Sequence, residues 1–237
     1  MKNSLKTRLA VAAALMGAAV AQAATPSWTL YDYTATIKSN TTISGTSFAA
    51  GSSVAGQVYL LNGVTPDNGG WGFAGEVARY VDVVNAFSFN TSGLSVGGTG
   101  AGNAEVDNNR RLVRAGGAYQ DVFAASLGTE PTTSFTATAL GGGLSAMSFM
   151  LRSPFLGGAP SATTSLALPS AVNLGLFSDT NSLQLSFKDA SLLDATLTSM
   201  TVSQVSQIAA VPEPATAGMA ALGLLVLGAA RRRRQAA

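Results

Sequence analysis

Trp28–Ile37, WTLYDYTATI, decides the fold class. Tyr31, Tyr33, Ala35 and Ile37 fall at alternate positions and share one face of an extended chain. Period two marks a strand with one buried face, because successive side chains point to opposite sides. Short runs of the same kind follow, bounded by Gly, Asn, Asp and Pro. Val54–Leu61 follows a Gly51-Ser52-Ser53 turn, and Asn62-Gly63 and Asp67-Asn68-Gly69-Gly70 read as further turns. Phe73–Val84 is a long mixed apolar segment, and Ala86–Asn90 is a strand with Phe87 and Phe89 on one face. Gly97–Asn109 reads as a glycine-rich loop before a short strand at Arg111–Arg114. Tyr119–Leu127 reads as a short helix. Thr133–Leu140 and Leu144–Leu151 flank Gly141-Gly142-Gly143 as a hairpin. Arg152–Ser170 holds three prolines and reads as a long surface loop, before late strands at Ala171–Phe177, Ser182–Phe187 and Leu192–Ile208. Roughly eight to twelve short strands predict an all-β fold, a single β-sandwich of jelly-roll-like or immunoglobulin-like type.

Composition removes whole classes of chemistry. The 237 residues contain no His and no Cys. That excludes a Ser-His-Asp arrangement, an imidazole base and any disulfide. The net charge of +2 comes from the two ends. Between Ala24 and Ala210 there are seven basic and eleven acidic residues. A mildly acidic body argues against nucleic acid as a partner.

Both ends carry targeting patterns. Lys2, Lys6 and Arg8 precede the apolar run Leu9–Val20, and Ala21-Gln22-Ala23 supplies small residues before Ala24. This is the pattern of a secretory signal peptide over residues 1–23, which implies the general secretory translocon and a signal peptidase. The other end reads VPEPATAGMAALGLLVLGAARRRRQAA over Val211–Ala237. Pro212 and Pro214 fix two φ angles around Glu213 and keep the segment extended. Ala215–Ala230 holds sixteen residues without a charge. As a helix it would be about 24 Å long, short of a hydrocarbon core of about 30 Å. Arg231, Arg232, Arg233 and Arg234 then form a stop-transfer cluster whose long side chains reach the headgroups. The expected organisation is residues 1–23 as signal peptide, 24–210 as β-domain and 211–237 as a tail with a short transmembrane helix.

The Pro212-Glu213-Pro214 motif, the short apolar helix and the arginine cluster resemble the PEP-CTERM sorting domain of Gram-negative bacteria. The resemblance covers these 27 residues. It implies recognition by an exosortase, a membrane protease-transpeptidase, after a transient stay in the inner membrane. It further implies a final location at the cell surface or outside it, in an exopolysaccharide and biofilm setting. Thr42–Leu60 is loosely similar to the first strands of many PEP-CTERM proteins, which implies fold and not activity.

Within the body, no residue pattern singles out a catalytic centre. Glu76, Asp82, Glu105 and Asp107 are the carboxylates nearest to aromatics or Gly-rich turns, and a glycoside hydrolase needs two that converge across a sugar. Asp67-Asn68 and Glu105–Asn109 offer oxygen ligands of the type Ca²⁺ takes, but neither completes a known calcium loop. No cofactor is therefore expected, with Ca²⁺ as the alternative. Gly97–Gly102 lacks the lysine and the βαβ setting of a phosphate loop. Trp28, Trp71, Tyr31, Tyr33 and Tyr80 are candidates for a sugar platform, although aromatics in such folds are mostly core. Arg110, Arg111 and Arg114 form the only basic cluster of the body, suited to an acidic polysaccharide or to guarding an edge strand. The expectation is a non-enzymatic exported surface or matrix protein, structural or weakly polysaccharide-binding. Two alternatives are a carboxylate-based glycoside hydrolase and an intact membrane-anchored periplasmic protein.

Overall fold

A computed structural model of the chain describes residues 27–43, 45–67, 76–92, 94–112, 118–128, 134–137, 143–155, 161–206 and 208. The segments expected as signal peptide and sorting tail lie outside these residues, as do Trp71 and Arg114. Eleven strands follow in order: β1 Trp28–Ile37, β2 Thr41–Ile43, β3 Thr46–Phe48, β4 Ser53–Leu61, β5 Val77–Thr91, β6 Leu94–Leu112, β7 Ala118–Leu127, β8 Ser134–Ala137, β9 Leu144–Arg152, β10 Thr180–Phe187 and β11 Leu192–Val205. One turn of 3₁₀-helix occupies Leu174–Leu176.

Eight strands close into an antiparallel barrel. Around it run β1, β4, β5, β6, β7, β9, β10 and β11, and β11 returns to pair with β1. Each neighbour follows the last along the chain, so the topology is up-and-down. The short pair β2–β3 lies between β1 and β4, and β8 pairs alongside the start of β6. This corrects the sandwich expectation. Two stacked sheets would leave four edges, whereas pairing of β1 with β11 and of β5 with β6 leaves the ring without one.

Alternation fills the barrel from within. Tyr31, Tyr33, Ala35 and Ile37 of β1 are all buried, as their period demands. Val54, Val58 and Leu60 do the same on β4, Phe123, Ala125 and Leu127 on β7, and Met147, Phe149 and Leu151 on β9. Five rings form a chain through the interior. Tyr33 meets Phe87 at 6.0 Å, Phe87 meets Phe149 at 6.5 Å, Phe149 meets Phe123 at 5.0 Å, and Phe123 meets Tyr31 at 5.2 Å between centroids. Burying each such ring stabilises the fold by roughly 1.5–3 kcal/mol. The phenol of Tyr33 donates to Ser88 O at 2.5 Å, and that of Tyr31 to Pro169 O at 2.8 Å. Burial pushes both phenols well above their ordinary range, so both remain donors. Gly56 lies against the Tyr33 ring, where a Cβ would collide with the ring and with Ser88 O.

Both ends of the barrel are covered. Ile43 and Phe48 of the β2–β3 pair join the core at one end. At the other, residues 161–177 fold over the opening, with Leu166, Leu168, Val172 and Leu174 packed on the core and Phe177 fully buried. Tyr80 Oη donates to Leu166 O at 2.7 Å. The proline-rich surface loop expected from sequence is therefore a cap, and the strand expected over Ala171–Phe177 is a bend with a 3₁₀ turn.

Three further expectations are corrected. Tyr119–Leu127 is not a helix but most of β7, because Phe123, Ala125 and Leu127 alternate into the core. Gly97–Asn109 is not a loop but the middle of the longest strand, β6. Its Gly102 is crossed so closely by β5 and β7 that a Cβ would meet Val84 Cβ and Ser126 O. The strands expected to pair across Gly141–Gly143 have other partners, β8 pairing with β6 and β9 with β7 and β10, while Gly141 and Gly142 lie outside the described residues.

A second, smaller cluster sits outside the barrel wall. Leu30, Tyr59 and Ala86 face outward and are covered by Trp28, Val205 and Ile208, while Trp28 Nε1 donates to Asn85 Oδ1 at 2.8 Å. Trp28 thus braces the wall where the chain leaves it.

Phe149→Ala removes the central link of the ring chain. Its expected cost is about 3–5 kcal/mol, measured by urea unfolding followed by tryptophan fluorescence. A loss below about 1 kcal/mol would mean the interior is loosely filled.

Candidate functional site

The long strands β5 and β6 cannot wrap the barrel without bending, and each bends at a residue with positive φ. Asp82 (φ 57°) lies where the β5–β6 register breaks, and Asn109 (φ 56°) lies where the β6–β7 register breaks. Asn and Asp tolerate this left-handed region better than most residues. The Asp82 amide donates to Asn103 Oδ1 at 3.1 Å, and the Asn109 amide donates to Asp121 Oδ1 at 2.6 Å.

Asp121 is the clamp of this end. It is fully buried and shares the inward parity of Phe123 on β7. Its other oxygen accepts from Ser161 Oγ at 2.8 Å, the Ala162 amide at 2.6 Å and the Thr163 amide at 3.1 Å. Thr163 Oγ1 donates to Asp107 O at 2.9 Å. Ser153 Oγ accepts from the Asp121 amide at 2.9 Å, and Gln120 Nε2 donates to Ser153 O at 2.8 Å. A buried carboxylate with four donors is satisfied rather than reactive.

Beside it lies an ionic quartet. Arg79 Nε donates to Glu105 Oε2 at 3.0 Å. Arg110 Nη1 reaches Glu105 Oε1 at 3.4 Å and Asp107 Oδ2 at 3.0 Å. Asp107 is fully buried, and its Oδ1 has no hydrogen-bond partner. Burial pushes its carboxyl up to about 6, against the lowering effect of the Arg110 hydrogen bond.

Outward residues of β6, β7, β9 and β10 line a groove of about 890 Å³ on the barrel's outer surface. Cross-strand register arranges its floor in rows. One row joins Asn103, Ser126, Ser148 and Gln184, the next Glu105, Ala124, Met150 and Ser182, and the third Val122, Arg152 and Thr180. Successive rows are about 7 Å apart along the strands. Arg79, Val81, Arg110 and Asp67 complete the lining. Met150 and Val81 are large apolar side chains left exposed.

Several sequence candidates meet here. Glu105, Arg79 and Arg110 line the groove, while Asp107 is tied to Arg110 and does not line it. Asp82 is exposed at the β5 bend, and Glu76 uses its carbonyl to accept from the Asn108 amide at 2.9 Å. Asp67 forms an isolated bridge to Arg79. Of the aromatic candidates, Tyr31, Tyr33 and Tyr80 are core, and Trp28 is part of the outer brace. Among the described residues no cluster of three acidic side chains is placed to hold a metal. Arg152, Met150, Ser148 and Gln184 were not singled out from sequence. Their even spacing on two adjacent strands is visible in the chain, but the pairing of those strands is not. Ala21, Ala23, Ala24, Pro212–Pro214 and Arg231–Arg234, expected as the signal-peptidase site, the sorting motif and the stop-transfer cluster, lie outside the described residues.

A family model described as the PEP-CTERM protein-sorting motif matches residues 210–234. The tail is a sorting motif of that family, beginning five residues after β11 ends at Val205. No curated protein and no solved structure matches the chain. Among the described residues no helix is long and apolar enough to cross a membrane.

Two outcomes follow. Asp121→Ala removes the acceptor of four donors, that of Thr163 buried and the others part-buried, and should cost roughly 3 kcal/mol. Limited proteolysis should then cut within residues 161–177, which pack on the core in the wild type. Asp107 gives a pH signature. Its carboxyl is raised in the folded state, so between about pH 4 and pH 6 the folded protein holds a proton that the unfolded chain has lost. Stability contributed by that proton is present below pH 4 and is gone above about pH 6. Asp107→Asn should abolish this decline in urea midpoints, and parallel pH profiles for wild type and variant would contradict it.

Proposed function

We propose that this chain is an exported, non-enzymatic β-barrel protein that an exosortase processes and that binds extracellular polysaccharide through its outer groove. The single observation behind the binding role is the groove itself, set on a barrel whose interior is filled with side chains. Among the described residues the interior is occupied by core side chains, so the reading places recognition on the outer surface. The floor mixes hydroxyl and amide groups with the exposed thioether of Met150, a lining suited to sugar rings that carry polar rims and apolar faces. Support for export is the sorting motif at residues 210–234 and the signal-peptide pattern over residues 1–23. A Gram-negative cell surface is the destination such a motif suggests.

The non-enzymatic reading is supported by the state of the carboxylates. Glu105 is held by two arginines, and Asp107 is buried and bonded to Arg110. Neither is free to flank a glycosidic bond from opposite sides.

Intact mass spectrometry of the protein from membrane and extracellular fractions of its host tests the processing. The expected extracellular species begins at Ala24, ends near Pro212–Pro214 and is retained by the host's exopolysaccharide. A stable final species that ends at Ala237 would overturn exosortase processing, and loss of retention would overturn the binding role.

A further inference from the structure

We infer that the groove reads a carboxylated sugar, a uronic acid residue, and that Arg152 is the residue that reads it. This rests on the proposal that the groove binds polysaccharide.

Arg152 ends β9, in the third row of the groove floor between Val122 and Thr180. Its guanidinium differs from those of Arg79 and Arg110, which are engaged by Glu105 and Asp107. Among the described residues no carboxylate lies within ion-pair distance of Arg152. Its Nε is buried and has no hydrogen-bond partner. Its Nη2 is turned to Met150 Sδ at 3.4 Å, and a thioether is a weak acceptor. Nε and Nη2 form the edge of the guanidinium that donates two parallel bonds to a planar carboxylate. That edge therefore lines the groove with one donor unpaired and the other on a weak acceptor. Met is unbranched and repacks readily, so a ligand carboxylate can take the place of the thioether on Nη2 and offer its second oxygen to Nε.

The neighbouring rows fit the rest of such a ligand. About 7 Å from Arg152 along the strand lies Met150, flanked by Ala124 and Ser182. Beyond it the Ser126–Ser148–Gln184 row offers hydroxyls and an amide. Thus a guanidinium, an apolar patch and a polar row follow one another along the strands. The charge balance agrees, because three arginines and two carboxylates line the groove. A planar carboxylate on a sugar ring matches the fork, and the ring itself matches the rows.

The test is isothermal titration of the full chain in mild detergent with oligogalacturonate and with its carboxyl-reduced, neutral counterpart. Arg152→Gln, Arg152→Lys and, as a control at a distant exposed turn, Lys188→Gln are measured beside the wild type. The wild type should prefer the acidic oligomer by roughly tenfold or more, and added salt should erode that preference. Arg152→Gln should bind both oligomers alike, Arg152→Lys should fall between, and Lys188→Gln should match the wild type. Equal binding of the two oligomers by the wild type would overturn the role of Arg152 and leave the groove a neutral-sugar site. Binding of neither would overturn the polysaccharide proposal as well. If Arg152→Gln does not fold, the wild-type preference and the lysine variant decide the matter.

Discussion

The structure depends on a chain of five aromatic rings that crosses the barrel from β1 to β5, β9, β7 and back to β1. Rings of this size fill an eight-strand barrel, whose interior is just wide enough for side chains. The filling has two consequences. It ties opposite walls together without a disulfide, in a chain that has no cysteine. It also occupies the interior of the described barrel with core side chains. The caps reinforce this, since Ile43 and Phe48 cover one end and Phe177 with its neighbours covers the other. The proposed binding role therefore rests on the outer wall.

That wall is shaped by the bends of β5 and β6. Asp82 and Asn109 take left-handed backbone conformations that change the strands' direction. Asp121 holds the second bend by accepting from the Asn109 amide, and with its other oxygen it holds the cap at residues 161–163. One buried carboxylate thus couples barrel curvature to closure of the barrel end. The quartet of Arg79, Glu105, Arg110 and Asp107 lies on the same bend and neutralises itself at the groove's side. Arg152 lies on β9, beyond β7, and among the described residues no carboxylate forms an ion pair with it.

How much of this was legible depended on the range of the pattern. Local alternation in Trp28–Ile37 gave the strand and its buried face, and the absence of long 3.6-periodic stretches gave the all-β class. Closure was not legible, because a strand with one buried face has the same alternation in a sandwich and in a barrel. Tyr119–Leu127 was misread as helix although Asp121, Phe123, Ala125 and Leu127 already alternate. Asp121 fits an inward position because four donors meet its carboxylate there. In β6 the glycines suggested a loop, whereas Gly102 serves the close passage of β5 and β7. The sorting tail was legible because its three parts are contiguous in the chain, and the family match falls on them. The groove was not, because its rows join residues of strands whose pairing no short window of sequence specifies.

The central claim is that a filled barrel places recognition on its outer wall, over β7, β9 and β10. The most direct measurement is a residue-resolved NMR titration of the full chain with oligogalacturonate. The account predicts that the perturbed signals fall on Ser126, Ser148, Met150, Arg152, Ser182 and Gln184, with the Phe87, Phe123 and Phe149 rings unchanged. Shifts centred on those rings, or on the cap at residues 161–177, would mean that the ligand enters the barrel, and would contradict it.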